Sequence, residues 1–407
     1  MIRAALKKVR SFVTPEAVLF AGAVVLATWS KVEQPVREVV PLYPYAVAVA
    51  GAAVAWRFHR SRLFFALAVL ALAYYALTLG RGAPDRALLL QSAAILVPLN
   101  LAAIAWLPER GALSWSALRR WAAIALQVAA VVALARHGGS GLVSSLRRGL
   151  AAGGFFGWTD LGLPALLAFA LAFAGLVLAR LFASGTTARG YLWALAAAFL
   201  AFGVARAQPD RILYISTAGL ILLVAVLESS YRMAYHDALT ALPGRRALNE
   251  AIQRLAGEYS VALVDVDHFK RFNDRFGHDV GDQVLRMVAS RLARVGGGGR
   301  AFRYGGEEFA LLFPGKTVEE CLPLLEELRE AIYETRFTVR RRIRPRGRPS
   351  GGRGGGRRRT RVRITVSIGV AQKDEKQKTP EQVVQAADEA LYKAKGAGRN
   401  RVRAAAT

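Results

Sequence analysis

The feature that most limits what this chain can fold into is a succession of long apolar runs confined to the first 232 of its 407 residues. Eight recur, near 14–30, 40–56, 62–79, 86–107, 120–136, 161–183, 190–206 and 211–228. Each is close to the roughly 17–25 residues that a helix needs to cross the hydrocarbon core of a bilayer. Buried helices of a soluble core do not follow one another eight times with only short polar breaks. Charge is segregated in the same way: residues 1–232 hold 8 of the 29 Asp and Glu and 22 of the 56 Lys and Arg. Residues 1–228 therefore read as an all-α polytopic membrane region, and the rest as a soluble domain. Arg3, Lys7, Lys8 and Arg10 precede the first run as they would in a signal peptide. No clear small-residue cleavage site follows, and seven further spans do.

Positive charge in short loops reports orientation. With eight spans both ends lie on one side. The N-terminal tail and the loops at 57–62, 108–120 and 180–189 then hold 12 bases and one acid, Glu109. The opposite loops hold 9 bases, offset by Glu33, Glu38, Asp85, Asp160 and Asp210. The bias places both termini in the cytoplasm. Arg81-Gly-Ala-Pro-Asp-Arg86 echoes Arg206-Ala-Gln-Pro-Asp-Arg211 at an offset of 125 residues. Two parallel four-helix repeats would explain the echo. So would two tight turns that each open a helix; a ligand site near Asp85 and Asp210 is the functional alternative. Gln91, Asn100 and Gln127 lie inside apolar runs and read as interhelical hydrogen-bond partners. Few ionisable residues lie within the spans, which disfavours a transporter or channel. The one cysteine, Cys321, excludes an intrachain disulfide, and none of the five histidines has metal-ligand spacing.

From Glu228 no Gly or Pro interrupts the chain until Pro243. The last span therefore reads as a helix continuing into a short connection, 229–240, too short for a long coiled coil. Beyond it the pattern predicts a helix over 245–257, a buried strand over 261–266, helices over 268–276 and 279–295, and strands over 301–304 and 309–313. A helix over 318–335, β-rich segments at 337–343 and 362–371, and a last helix near 380–396 follow. This order predicts an α/β or α+β domain with a mostly antiparallel central sheet. Gly305-Gly306-Glu307-Glu308 joins two of the strands. Glycines there allow close backbone approach, and adjacent carboxylates repel one another. Asp265 and Asp267 close a strand that could lie beside this turn. Converging carboxylates suit Mg²⁺, and a pair of such ions serves phosphoryl transfer. Asp267 also has a plain structural reading, as N-cap of the following helix.

Arg303-Tyr-Gly-Gly-Glu-Glu-Phe309 resembles the signature of the GGDEF family of diguanylate cyclases in its GGEEF form. Four further blocks resemble that family in order. They are Asp237-Ala-Leu-Thr-Ala-Leu-Pro-Gly-Arg-Arg246, with Ala241 and Gly244 in place of the usual Gly and Asn; Asp265 to Asp274 with Phe276 to Asp282; Thr365-Val-Ser-Ile-Gly-Val370; and Ala387 to Lys395 with Gly398 to Arg401. The resemblance covers about 235–403 and implies a ferredoxin-like palm of the nucleotidyl-cyclase type. By position it implies two Mg²⁺ (or Mn²⁺) per active site, held by Asp265, Glu307, Glu308 and the Val266 carbonyl. Glu308 would also help activate the ribose 3′-hydroxyl. Asn273 and Asp282 would read guanine, whose N1–H and exocyclic amine suit a carboxylate. Lys270, Lys395 and Arg399 would bind phosphates, Lys270 standing with Glu307 and Glu308 among the catalytic groups. The Gly305-Gly306 backbone would lie against the phosphates.

The resemblance thus implies a bacterial inner-membrane enzyme that condenses two GTP into cyclic di-GMP as a homodimer. A catalytically silent GTP-binding or interaction module is the alternative. Two departures stand out. Where many members carry an inhibitory Arg-x-x-Asp, this chain reads Val295-Gly-Gly-Gly-Gly-Arg300, which implies no product inhibition by that route. Residues 340–363 carry 12 Arg and no acid, a large part of the net charge of +27. This Arg/Gly insertion reads first as a solvated hairpin loop, then as a partner for anionic lipid, and last as one for nucleic acid.

Overall fold

The computed structural model describes residues 14–29, 38–79, 86–111, 114–136, 144–145, 148–149, 154–182, 186–255, 257–339, 360–374 and 377–405. Two compact units divide the chain, Met1–Tyr231 and Arg232–Thr407.

The first unit is helical at each of the eight apolar runs: α1 (Pro15–Thr28), α2 (Tyr43–Arg57), α3 (Ser61–Thr78), α4 (Arg86–Trp106), α5 (Trp115–Arg136), α6 (Leu163–Phe182), α7 (Thr186–Phe199) and α8 (Gln208–Tyr235). Six of the eight are long and apolar enough to cross a membrane, α7 counted with the π-helical turn Leu200–Val204 that continues it. α1 and α2 have 14 and 15 residues and fall short of that length. Their stops are local. Thr14 caps α1 and Trp29 leaves helical geometry. α2 follows a turn closed by Val39 and Val40, and ends where His59 takes a left-handed backbone. The run at 14–30 extends past the end of α1 and the run at 40–56 begins before α2, so run length overstates helix length.

Polar side chains tie the helices together. Asn100 Nδ2 donates to Gln127 Oε1 at 2.8 Å, joining α4 to α5. Gln91 donates to the Asp160 carbonyl at 2.7 Å and accepts from Gly162 N–H, fastening α4 to the loop before α6. That loop reaches the π turn, where Asp160 N–H donates to the Gly203 carbonyl. A Cβ on Gly203 would come within 2.9 Å of Leu161 and Thr159, so glycine is what lets the loop approach. Of the two echoed turns, 81–85 lies outside the described residues. The other places Arg211 on Asp160 at 2.7 Å.

The second unit holds α9 (Arg245–Gln253), β1 (Tyr259–Val266), α10 (Phe269–Phe276), α11 (His278–Leu292), β2 (Arg300–Arg303), β3 (Glu308–Pro314), α12 (Val318–Glu334), β4 (Phe337–Val339), β5 (Thr360–Val362), β6 (Val366–Gln372), α13 (Pro380–Gly396) and β7 (Val402–Ala404). A five-stranded sheet runs β2-β3-β1-β6-β7, antiparallel except for β6-β7. Alternation along β1 serves two cores. Ala262, Val264 and Val266 join Leu285, Val288 and Leu325 of α11 and α12 on one face. Val261 and Leu263 join Leu248, Val383 and Leu391 of α9 and α13 on the other. Side chains such as Phe302, Phe309 and Phe313 are fully buried. Each contributes on the order of 1.5–3 kcal/mol.

Two details place the site. α13 starts at a capping box of Thr379 and Gln382 with Pro380 in its first turn. It then crosses β6 at Gly369, where a Cβ would lie 2.1 Å from Leu391 N and 2.2 Å from the Ala387 carbonyl. That close crossing brings the C-terminal end of α13 over the end of β1. β4 and β5 form a separate antiparallel pair in register Phe337↔Val362. Most of the Arg/Gly insertion, residues 340–359, lies outside the described residues.

Candidate active site

Asp265, the last residue but one of β1, has as register partners Glu308 on β3 and Ser367 on β6. The strand thus delivers a buried carboxylate beside the turn that joins β2 to β3. Val266 N–H donates to the Glu307 carbonyl at 3.3 Å, and Tyr304 and Gly305 N–H donate to the Glu308 carbonyl. A Cβ on Gly305 would lie 2.6 Å from Glu308 Oε2, so this glycine leaves the space that the Glu308 carboxylate occupies. Gly306 faces open space.

From α13, Lys395 Nζ meets Asp265 Oδ2 at 2.9 Å. Burial pushes the Asp265 carboxyl above its ordinary range; Lys395 and Arg399 oppose the rise and Asp267 adds to it. Burial also pushes Glu307 up, with the charges of Asp265 and Glu308 adding and Lys395 opposing. Both carboxyls are thus disfavoured as anions in a half-dry corner, chiefly by burial. Arg399 sits in a loop of left-handed backbone, at φ 62°, between Gly398 at 110° and Asn400 at 46°.

The remaining expected residues lie on the neighbouring helix pair. Asn273 is on α10, and its Oδ1 is buried without a hydrogen-bond partner. It fills the space a Cβ on Gly281 would take, 1.9 Å away. Asp282, the next residue on α11, is half-buried. Lys270 is exposed on the first turn of α10, and among the described residues no ion pair joins it to the carboxylates. The geometry therefore brings together Asp265, Glu307, Glu308, Lys395 and Arg399. Asn273 and Asp282 form a second group, and Lys270 stands apart.

Asp267 does not cap α10. The N-cap is His268, in a left-handed conformation, with no side-chain cap bond. Asp267 instead accepts from Ser367 Oγ at 2.7 Å and Asn400 N–H at 3.1 Å. It thereby ties the ends of β1 and β6 to the loop that carries Arg399. A second supporting residue is Arg303. It donates to the Gly305 and Gly306 carbonyls at 3.1 and 2.6 Å and to Asp237 Oδ1 at 2.6 Å. Burial alone would raise the Asp237 carboxyl, but the Thr240 and Arg303 hydrogen bonds outweigh it and hold it low. Arg303 and Asp237 both fall inside recognisable motifs; their opposite charges are the only sign in the sequence that they pair.

These groups fit a hard cation. Carboxylate and carbonyl oxygens are the donors that Mg²⁺ takes. Asp265 and Glu307, each disfavoured as an anion, would be relieved by positive charge. Among the described residues no three His, Cys, Asp or Glu side chains already stand in metal-holding geometry. Lys395 is the cation on Asp265.

The family model for "Diguanylate cyclase, GGDEF domain" matches residues 234–347 and 356–401, passing over 348–355 within the Arg/Gly insertion. The chain is 38% identical over 187 residues to the diguanylate cyclase DgcP of Pseudomonas aeruginosa, covering 44% of this chain and 25% of that protein. It is 37% identical over 184 residues to the response regulator PleD of Caulobacter vibrioides, covering 43% and 37%. It therefore spans well under half the length of these curated relatives. Among solved structures, the coiled coil and GGDEF domain of DgcB from Caulobacter crescentus, in complex with c-di-GMP, is 35% identical. That match covers 47% of this chain and 95% of that one at a TM-score of 0.41. The second unit of this chain is a GGDEF domain, the domain of the diguanylate cyclases.

Proposed function

We propose that the chain is a diguanylate cyclase held in the bacterial inner membrane by its first unit, with the GGDEF domain in the cytoplasm. It condenses two GTP into cyclic di-GMP and two pyrophosphates. The observation that supports this best is the meeting of Asp265, Glu307 and Lys395 at the end of β1 within a GGDEF domain. Six helices long and apolar enough to span a bilayer support the location.

Each domain takes one GTP. Asn273, through its unpartnered Oδ1, and Asp282 accept from the guanine edge. Lys270, Lys395 and Arg399 take the phosphates; the flexible stem of Lys395 lets its ammonium exchange Asp265 for a phosphate oxygen. The Gly305-Gly306 backbone lines the same path. Asp265, Glu307, Glu308 and the Val266 carbonyl would hold two Mg²⁺ or Mn²⁺, which when bound neutralise triphosphate charge and make the ribose 3′-hydroxyl easier to ionise. Glu308 lies beside the turn, placed to accept that proton. The 3′-oxygen of one GTP bonds to the α-phosphorus of the other, the α–β phosphoanhydride bond breaks, and pyrophosphate leaves with the electron pair. The same step, with roles exchanged, closes the ring. One domain holds one nucleotide, so a homodimer is required. The membrane unit tunes how the two domains meet.

Full-length protein in detergent, given GTP and Mg²⁺, is expected to yield cyclic di-GMP. The Glu307→Ala, Glu308→Ala double variant is expected to yield none. A verified wild-type dimer that binds GTP and forms no product would overturn the reading.

A further inference from the structure

One end of the helical unit gathers more positive charge than it neutralises. Among the described residues, Glu109, just past α4, is the one carboxylate within electrostatic reach of Arg120, and it is already engaged. Ser61 Oγ donates to Glu109 Oε2 at 3.0 Å and Arg62 N–H at 3.2 Å, with Arg62 Nε 4.0 Å from Oε1. Arg62, Arg110 and Arg119 lie within electrostatic reach of Arg120, and Glu109 alone opposes them. Among the described residues, Arg110 and Arg119 have no carboxylate partner, and both are exposed.

Basic loops are ordinary in membrane proteins. Arg120 sets this one apart. Its Nη2 donates to the Pro108 carbonyl at 2.7 Å, and its guanidinium lies over the Phe65 ring at 5.4 Å. The group is thereby held in place, yet its Nη1 is buried with no hydrogen-bond partner. A fixed, unused donor amid surplus guanidinium charge is how proteins hold phosphate oxygens.

The surroundings identify the source of the phosphate. Trp56, Trp106 and Trp115 sit at the ends of α2, α4 and α5, within six residues of Arg62, Arg110 and Arg119 in sequence, and are 70%, 50% and 83% exposed. Exposed tryptophans at the ends of apolar helices mark the level of lipid headgroups. Basic pockets between spans at that level take anionic lipids.

We propose that the end of α3, α4 and α5 bearing Arg110, Arg119 and Arg120 is a binding site for the phosphate of an anionic phospholipid.

The test titrates the full chain in uncharged detergent with dioctanoyl phosphatidylglycerol, dioctanoyl phosphatidylcholine and inorganic phosphate, read by tryptophan fluorescence. Phosphatidylglycerol should bind saturably. It should bind about fivefold more weakly to Arg119→Gln and more weakly still to Arg119→Gln, Arg120→Gln. Arg119 is exposed, so the single variant tests the site without threatening the fold. Equal binding by wild type and both variants, or equal binding of phosphatidylcholine, would overturn the proposal. Displacement by inorganic phosphate in the same concentration range would overturn the lipid as the source.

Discussion

Each unit buries a carboxylate against a cation, and the two arrangements differ in kind. In the helical unit Arg189 on α7 donates through Nε and Nη2 to Glu16 Oε1 on α1, at 3.2 and 3.1 Å, and through Nη2 to Glu228 on α8, at 2.9 Å. Glu16 is fully buried, and its Oε2 has no hydrogen-bond partner. The first helix of the unit and its last two meet at one planar fork, which cannot turn to another partner without releasing both carboxylates. In the GGDEF domain Lys395 touches one oxygen of Asp265, while burial and the charge of Asp265 still push Glu307 upward. A point charge on a flexible stem can leave, and the carboxyls beside it gain from further positive charge. The first arrangement is a cross-link. The second is a site built for ligands.

That contrast breaks most visibly at Arg189. Arg189→Ala leaves the Glu16 carboxylate buried without its cation, so destabilisation of about 3–5 kcal/mol is expected. A large fall in the thermal midpoint of the detergent-solubilised chain would register it, and Glu16→Gln should be milder, since the amide oxygen still accepts from Arg189.

The next effect is in pH. Asp265 and Glu307 are raised in the folded domain, so the fold binds more protons than the unfolded chain just above the ordinary carboxylate range. Their contribution to stability therefore falls as pH rises through that window. Asp237 is lowered and acts in the opposite sense, its contribution being lost as pH falls. Unfolding followed across weakly acid pH in metal-free buffer should show the falling component shrink in Asp265→Asn, Glu307 supplying the remainder, and persist in full in Glu16→Gln.

The smallest effect sharpens the local picture. Ala241 occupies a left-handed backbone at φ 59°, where the family motif usually has Gly. Ala241→Gly should stabilise by about 0.5–1 kcal/mol, the relief of strain being partly offset by unfolded-chain entropy. A small rise in thermal midpoint with unchanged turnover would report it.

What was legible in the sequence is what depends on local pattern. The strand over 261–266 appears as Tyr259–Val266, the signature turn joins Arg300–Arg303 to Glu308–Pro314, and the last helix is Pro380–Gly396. The strong alternation of β1 and the caps of α13 are written within a few residues. Long-range pairings were not legible. Ser367 reaches Asp267 across 100 residues, Arg303 reaches Asp237 across 66, and Arg189 reaches Glu16 across 173. Asp267 looked like a helix cap because Asp before a helix is the commonest local use, and its actual partners come from β6 and the loop after α13. The eight apolar runs became six helices of spanning length because the runs at 14–30 and 40–56 overshoot their helices, which are Pro15–Thr28 and Tyr43–Arg57.

The most direct test of the central claim is the rate of cyclic di-GMP formation by full-length Asp265→Asn at saturating GTP and Mg²⁺, with the thermal midpoint checked on the same sample. A loss of at least about a hundredfold in a protein as stable as wild type is the predicted result. Turnover close to wild type would contradict it and reduce the Asp265–Lys395 pair to a cross-link of the same kind as Glu16–Arg189.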